Sequence, residues 1–281
     1  MTAVVLRPSD AQEIQPEWAE GLKLVSRLGE AQGTDNLDAA ELHLAPGGSI
    51  PGHTSPFEES FYVLSGEVLV AIADVSYHLR PGDFGLIPFG YPSAWSNPFG
   101  EEATWLRVRA PRPRPDRPTV EHRPYPDMAL PVEGDRVEVD SPHQRYVGHF
   151  DDSQIAPPGP LAMPGYHGYS INNVSIRMMV DDLLGAVHHT LFMVQFAPAE
   201  GFSASEHFHP FEELYYFVQG AADGRLEGEP CRVEAGDLVF AGVGATHGFT
   251  TAGDVPVRWI EAQAPMPPKS SGTIFVADWS E

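Results

Sequence analysis

Three histidines and one glutamate in the C-terminal half of the chain have the residue types and spacing of a metal site. His207, His209 and Glu213 all carry odd numbers within one predicted extended segment. Because side chains alternate between faces along a strand, these three can point the same way while Glu212 points the other way. His247 follows 34 residues after Glu213, directly after a glycine-rich turn. Three neutral imidazoles and a carboxylate form a ligand set for one divalent transition metal: Fe, Mn, Ni, Cu or Zn.

The predicted ligand set also suggests how the site would react. Four protein ligands leave one or two coordination positions open for water, a substrate or dioxygen. Glu213 is predicted to serve as a ligand or, when released from the metal, as the catalytic base. Three aromatic side chains nearby are candidates for the wall of a substrate pocket: Phe211, Tyr215 and Phe217. Ordinary packing in a hydrophobic core is an equal interpretation of these three residues.

The segment that carries these residues occurs twice in the chain, at a constant offset of 154. SPFEESFYVLSG (55–66) and HPFEELYYFVQG (209–220) are identical at six of twelve positions, and no gap is needed between 47 and 93. At the positions of the four ligands the first copy has His53, Ser55, Glu59 and Ser93. Hydroxyls are poor ligands for these metals, so we expect one metal per chain, in the second copy. We expect the first copy to be a scaffold that supplies an oligomer surface. Binding of a polar small molecule in its emptied cavity is the alternative.

Both copies have the composition of an all-β protein. The chain contains 27 Gly and 28 Pro, which favours short strands joined by turns and predicts a sandwich or barrel for each copy. The proline-rich stretch between them (110–131) is predicted to be extended. The sequence therefore predicts an N-terminal domain (1–110), a linker (111–131) and a C-terminal domain (132–281).

Three further segments receive a prediction of their own. Residues 9–30 have a modest helical pattern, which predicts a short helix. RYVGHF (145–150) and SIRMMV (175–180) are predicted strands that complete the second barrel or cover its edge.

Charge and composition narrow the class of partner. The 281 residues include 17 Lys and Arg against 39 Asp and Glu, a net charge of −22. An acidic surface repels phosphate backbones and anionic lipid, so we expect neither a nucleic-acid nor a membrane partner. The single cysteine, Cys231, allows no intrachain disulfide and no zinc site of several thiolates. The N-terminus lacks an apolar core long enough for a signal peptide, and no apolar run reaches about 18 residues, so a cytoplasmic protein is expected.

The spacing around the predicted ligands resembles the two sequence motifs of the cupin superfamily. The pattern G-x5-H-x-H-x3-E-x6-G (201–220) is similar to the first motif, and G-x5-G-x-G-x2-H (236–247) is similar to the second. The latter has Gly242 where Pro is usual and Thr251 where Asn is usual. The first copy keeps the frame of the second motif in G-x5-P-x-G-x2-S-x3-N (82–97). The chain thus resembles a bicupin, which implies two tandem jelly-roll β-barrels with the metal in the mouth of the second.

The resemblance leaves three functions open. The three-His, one-Glu set resembles that of quercetinase-like cupin dioxygenases, which implies a metal-dependent oxygenase acting on a small organic substrate. The layout is similar to ureidoglycine aminohydrolase-like bicupins, which implies a metal-dependent hydrolase. That family is expected to have Glu, His and Gln at the positions of His207, Glu213 and His247, so only His209 matches. A non-enzymatic cupin that binds a small molecule is the third. We favour the dioxygenase, and family habit implies a homodimer or larger homo-oligomer.

Overall fold

Strands dominate the structure, a computed structural model that describes residues 2–113, 122–139, 144–159, 171–198, 204–267 and 274–275. The helical residues of these ranges are confined to three short 3-10 turns, Pro8–Asp10, Glu30–Gln32 and Asp152–Gln154. Within the described ranges, no helix has both the length and the apolar character needed to cross a membrane. The prediction of an all-β protein is confirmed.

The first repeat forms one sheet of twelve strands that curls into a barrel. Numbered along the chain, its strands are β2 (Gln12–Ile14), β3 (Glu20–Leu28), β4 (Asp38–Thr54), β5 (Glu58–Ser65), β6 (Val68–Ile72), β7 (Val75–Leu79), β8 (Asp83–Ile87), β9 (Pro92–Ser96), β10 (Ala103–Ala110), β11 (Arg123–Pro124), β12 (Asp135–Arg136) and β13 (Val147–His149). The main path through the sheet is β12-β7-β6-β9-β4-β10-β5-β8-β13. The long strand β4 also pairs with β3 and β11.

The second repeat forms a six-stranded and a five-stranded sheet. The six-stranded sheet has the order β1-β20-β17-β22-β15-β14, with β1 (Ala3–Leu6), β14 (Val174–Val180), β15 (Thr190–Phe196), β17 (Glu212–Gln219), β20 (Leu238–Ala241) and β22 (Val257–Ala264). The five-stranded sheet has the order β19-β18-β21-β16-β23, with β16 (His207–Phe208), β18 (Ala221–Leu226), β19 (Glu229–Glu234), β21 (His247–Thr251) and β23 (Ile274–Phe275).

The short helix predicted for residues 9–30 is wrong. After one 3-10 turn the segment forms β2 and β3, and β3 pairs along β4 with Leu22 opposite Leu44 and Leu24 opposite Leu42. Pairing with a long neighbouring strand outweighs a weak local helical preference, because propensity contributes only tenths of a kcal/mol per residue.

The strand that precedes each repeat pairs with a strand of the other barrel. β1 precedes the first repeat but pairs antiparallel with β20 of the second, and β13 precedes the second repeat but pairs antiparallel with β8 of the first. Side chains reinforce both crossings. Arg7, just after β1, forms an ion pair with Asp237, and His149 Nδ1 lies 2.6 Å from Asp83 Oδ1. The two barrels are therefore interlocked by backbone hydrogen bonds.

This exchange changes the assignment of the segment between the repeats. SIRMMV forms β14 of the second barrel as predicted, but RYVGHF supplies β13 to the first barrel, so that prediction is wrong. β12 also lies beyond residue 131 and pairs with β7 of the first barrel. The predicted division into 1–110, 111–131 and 132–281 stays a prediction, and strand pairing crosses it. An open sheet edge accepts whichever strand reaches it, since pairing satisfies its free backbone groups.

Two buried glutamates from equivalent positions clamp the barrels together. Glu212 accepts hydrogen bonds from the backbone amides of residues 35–37 of the first repeat, at 2.6, 2.9 and 3.1 Å. Glu58 accepts them from the amides of residues 187–189 of the second, at 2.8, 3.1 and 3.3 Å. Burial alone would raise the pKa of Glu58, but hydrogen bonds from His189 and these amides outweigh burial and lower that pKa. Each carboxylate therefore fixes a loop of the opposite barrel.

Alternate residues of β17 face different cores, which places the metal-site candidates. Leu214 and Tyr216 join an apolar cluster that contains residues of both barrels. Tyr215 and Phe217 join the interior cluster of the second barrel. Glu213 lines the cavity inside that barrel. The odd-numbered face is therefore the inner face, as predicted.

Candidate metal centre

The three predicted histidine ligands meet inside the second barrel. His207 on β16 is the backbone partner of His247 on β21, and His209 follows two residues after His207. One ring nitrogen of each histidine lies within 4.8 Å of those of the other two. All three side chains are buried, so the cluster is shielded from bulk water.

Backbone carbonyls set the direction of two of these rings. His207 Nδ1 lies 2.6 Å from Ser205 O, and His247 Nδ1 lies 3.0 Å from Ala245 O. Each carbonyl accepts a hydrogen bond from an Nδ1–H group, so Nε2 carries the lone pair that a metal needs. Burial, reinforced by the neighbouring His247 and His209, lowers the pKa of His207 well below its ordinary value. His207 is therefore neutral, the form that binds metals.

Glu213 contacts two of the three histidines. Its Oε2 lies 3.2 Å from His209 Nε2 and 2.9 Å from His247 Nε2, while Oε1 accepts a hydrogen bond from Gln263 Nε2 at 2.8 Å. Burial alone would raise the pKa of Glu213, but the neighbouring His209 and His247 outweigh burial and lower that pKa. A carboxylate beside imidazole rings suits a divalent first-row ion.

A second buried carboxyl group, Glu261, lies in the same cavity and was missed by the sequence reasoning. Gln263 Nε2 donates to Glu261 Oε1 at 2.9 Å as well as to Glu213, and Trp259 Nε1 donates to Glu261 Oε2 at 3.0 Å. Burial, and next the charge of Glu213, raise the pKa of Glu261 well above its ordinary value. One amide thus bridges two carboxyl groups, one ionised and one neutral.

A signal for Glu261 was present in the sequence. Beyond Ser93, the offset of 154 also aligns Trp105 with Trp259 and Arg107 with Glu261. An arginine in one copy against a glutamate in the other marks a position where the two cavities differ in charge.

In the first barrel, an arginine lies beside the carboxylate that corresponds to Glu213. The guanidinium of Arg107 lies 3.7 Å from Glu59, which supplies positive charge where the second barrel has a histidine cluster. The ring of His122 stacks on His53 at 4.1 Å. Ser93 is the backbone partner of His53, as His247 is of His207, so the repeats are aligned correctly. Within the described ranges, the histidines of the second barrel form the only cluster arranged to hold a metal.

The histidines and Glu213 line a small cavity of about 50 Å³. Of the predicted pocket aromatics, Tyr215 lines it, whereas Phe211 stacks on His209 at 4.7 Å and Phe217 packs behind the wall against Trp259 at 5.4 Å. Phe211 and Phe217 are buried without lining the cavity, and their role as pocket residues stays a prediction. Most of the remaining wall is apolar and includes Val174, Phe192, Val194, Phe196, Phe249 and Trp259.

Comparison with known proteins agrees with this architecture. A family model described as a cupin domain matches residues 40–109 and again residues 192–262, together half of the chain. The chain belongs to the cupin family. Because the domain occurs twice, the protein is a bicupin, as its sequence motifs predicted.

Two curated relatives of this bicupin come from Streptomyces. The tetracenomycin polyketide synthase protein TcmJ of Streptomyces glaucescens is 28% identical over 123 residues, covering 43% of this chain and 81% of the relative. The polyketide synthase protein CurC of Streptomyces cyaneus is 34% identical over 68 residues, covering 24% of this chain and 44% of the relative.

Solved structures extend the likeness to both barrels. An oxalate decarboxylase of Lactobacillus farciminis, solved as a formate complex, has a TM-score of 0.66 at 18% identity and covers 98% of this bicupin and 89% of its own chain. A glyoxylate-induced protein of Pseudomonas aeruginosa has a TM-score of 0.68 at 18% identity, with 94% and 89% covered. At this identity the likeness establishes the tandem fold alone.

Gln263→Leu is expected to weaken metal binding by about 10- to 100-fold, because it removes the donor that orients Glu213. Isothermal titration of the metal-free protein with Mn²⁺ or Zn²⁺ measures the change. Gln219→Leu on β17 is the matched control, since Gln219 bonds to Pro256 O outside the cavity. Equal affinities of Gln263→Leu and the unmodified protein would mean that Glu213 does not depend on this contact.

Proposed function

We propose that this bicupin is a metal-dependent enzyme of the dioxygenase type that acts on a compact organic molecule in its second barrel. One observation carries the proposal: three buried imidazoles and a carboxylate meet in a largely apolar cavity. His207, His209, His247 and Glu213 would hold one divalent transition metal. A cytoplasmic homo-oligomer belongs to the same proposal.

The bound metal would supply Lewis acidity and an open position for a substrate oxygen or dioxygen. The protein contributes what surrounds those positions. The apolar wall excludes water, which strengthens electrostatic interactions inside the cavity. Glu213, held by Gln263, would serve as a ligand or, when released from the metal, as a base, and the raised pKa of Glu261 suits it to donate a proton.

The cavity wall favours an apolar substrate. Among its described lining residues there is no lysine or arginine, so a small dianion would find no permanent positive charge besides the metal. A small ureide would likewise leave most of its polar groups unpaired against Phe192, Phe196 and Trp259. Two relatives are named for polyketide synthases, which supports an organic molecule with an apolar body. Since the cavity holds only about 50 Å³, that body is compact or wall side chains shift as it enters.

Oxygen dependence tests the proposal directly. Protein loaded with Fe²⁺ is incubated with a panel of small phenolic and enolic ketones under air and under argon, and oxygen uptake is recorded with product formation. We expect uptake and product under air, no product under argon, and neither with His209→Ala. Turnover under argon would contradict the oxygenase. Ammonia release from ureidoglycine would instead support the hydrolase, and metal binding without turnover would support a binding protein.

A further inference from the structure

Tyr215 belongs to the same cluster of donor atoms as the histidines and Glu213. Its Oη lies 2.5 Å from Glu213 Oε2 and 2.8 Å from His247 Nε2, and those two atoms are 2.9 Å apart. The three atoms thus form a nearly equilateral triangle inside a buried cavity. This geometry places the phenol within the candidate metal centre itself.

Two of the three atoms are acceptors, and the hydroxyl of Tyr215 supplies only one hydrogen. In a neutral His247, the form that binds a metal, the hydrogen bond from Nδ1 to Ala245 O leaves Nε2 as an acceptor, and the carboxylate of Glu213 is an acceptor only. Tyr215 has one hydroxyl hydrogen, so it can donate to one of the two. The other two contacts then bring lone pairs within 3 Å of each other. Buried lone pairs at this distance repel unless a cation lies between them.

The separations match those between neighbouring ligands of an octahedral ion. Bonds of about 2.1 Å place adjacent donors of such an ion about 3 Å apart. The observed separations are 2.5 Å and 2.8 Å to Tyr215, and 2.9 Å and 3.2 Å from Glu213 to His247 and His209. The phenol oxygen is therefore spaced from Glu213 and His247 about as a further ligand would be.

The first repeat provides an internal comparison. At the offset of 154, Tyr215 corresponds to Phe61, which has no hydroxyl. Phe61 packs against Trp95 in the apolar core of the first barrel. The hydroxyl is thus present in the copy with the histidine cluster and missing where serines replace two of the histidines.

We propose that Tyr215 Oη is a ligand of the metal in the second barrel, in addition to the three histidines and Glu213. The inference rests on the proposed metal centre. Tyr215 binds as a phenolate, and its proton leaves to solvent as the metal binds. Two anionic donors and three neutral imidazoles then balance the charge of a divalent ion, so the buried centre carries no net charge. Edge contacts with Phe249 and Trp259 fix the ring.

A phenolate bound to Fe³⁺ absorbs visible light by charge transfer from oxygen to iron, which gives a test independent of activity. Metal-free protein is loaded with one equivalent of Fe³⁺, and the visible spectrum and bound iron are measured. We expect a visible band in the unmodified protein and its loss in Tyr215→Phe, which keeps the histidine ligands and close to one iron per chain. Tyr216→Phe is the matched control and should retain the band, because Tyr216 faces the other way and donates to Glu41 at 3.1 Å.

The outcomes separate this inference from the function. Iron bound without a visible band, or the same band in Tyr215→Phe, would overturn the assignment of Tyr215 and leave the metal centre standing. No iron bound by the unmodified protein would overturn both. Resonance Raman spectra of the unmodified protein provide a measurement that needs no variant. Excitation within the band should enhance tyrosinate ring vibrations, and their absence would contradict the proposal.

Discussion

His207→Ala is expected to lose its metal, while His53→Ala keeps close to one metal per chain. The two residues occupy equivalent positions 154 apart, and both direct Nδ1 at a backbone carbonyl, Ser205 O and Pro51 O respectively. His207 lies within 4.8 Å of two more imidazoles. His53 has the ring of His122 stacked on it. Loss of one ligand from a small set should weaken affinity by about 100-fold or more, since loss of a supporting residue alone costs 10- to 100-fold.

Metal analysis after dialysis against a metal buffer measures this difference. Circular dichroism of both variants provides the control for folding, because each substitution removes one buried ring from an otherwise intact barrel. Retention of metal by His207→Ala, or loss of metal in His53→Ala, would contradict the assignment of the site to the second barrel. Two metals in the unmodified chain would contradict it equally.

Glu212→Ala is expected to lower the free energy of unfolding by about 3 kcal/mol, and Glu58→Ala by a similar amount. Each substitution leaves three backbone amides of the opposite barrel without their acceptor. A buried donor left unpaired costs about 1–3 kcal/mol, and local rearrangement of the loop recovers part of the total. Urea denaturation measures the difference, with the exposed Glu229→Ala as the matched control.

The two clamps should act as one unit. Because Glu58 and Glu212 hold the same interface from its two sides, the losses of the two single variants are not expected to add in the double variant, and urea denaturation of all three variants measures the difference. A loss for Glu212→Ala no larger than that for Glu229→Ala would show that the interface is held by its apolar cluster instead.

The repeated segment allowed much of this architecture to be predicted. The structure gives a separate physical reason for several of the residues that the two copies share. Glu58 and Glu212 clamp the opposite barrel, and Tyr62 and Tyr216 pack at the interface. Gly66 and Gly220 both adopt a positive φ, +71° and +72°, where a Cβ would lie within 2.5 Å of a backbone carbonyl. Strand alternation alone chose Glu213 over Glu212 correctly as the inner residue.

Other features depend on contacts between distant parts of the chain. The exchange of β1 and β13 could not be predicted from the sequence, because the residues of a short strand do not specify which sheet edge it pairs with. The helix predicted for 9–30 failed for the same reason, since β4 determined its structure. The differences between the copies were more informative. Ser55 against His209 and Phe61 against Tyr215 both coincide with the candidate metal centre.

Anomalous diffraction from crystals of the Mn- or Fe-loaded protein tests the central claim most directly, since it locates the metal without any variant. The expected result is one peak per chain inside the second barrel, about 2.1 Å from an Nε2 atom of His207, His209 and His247. No peak is expected beside His53 and Glu59. A peak in the first barrel, or none among the three histidines, would contradict the proposal that only the second of the two barrels binds a metal.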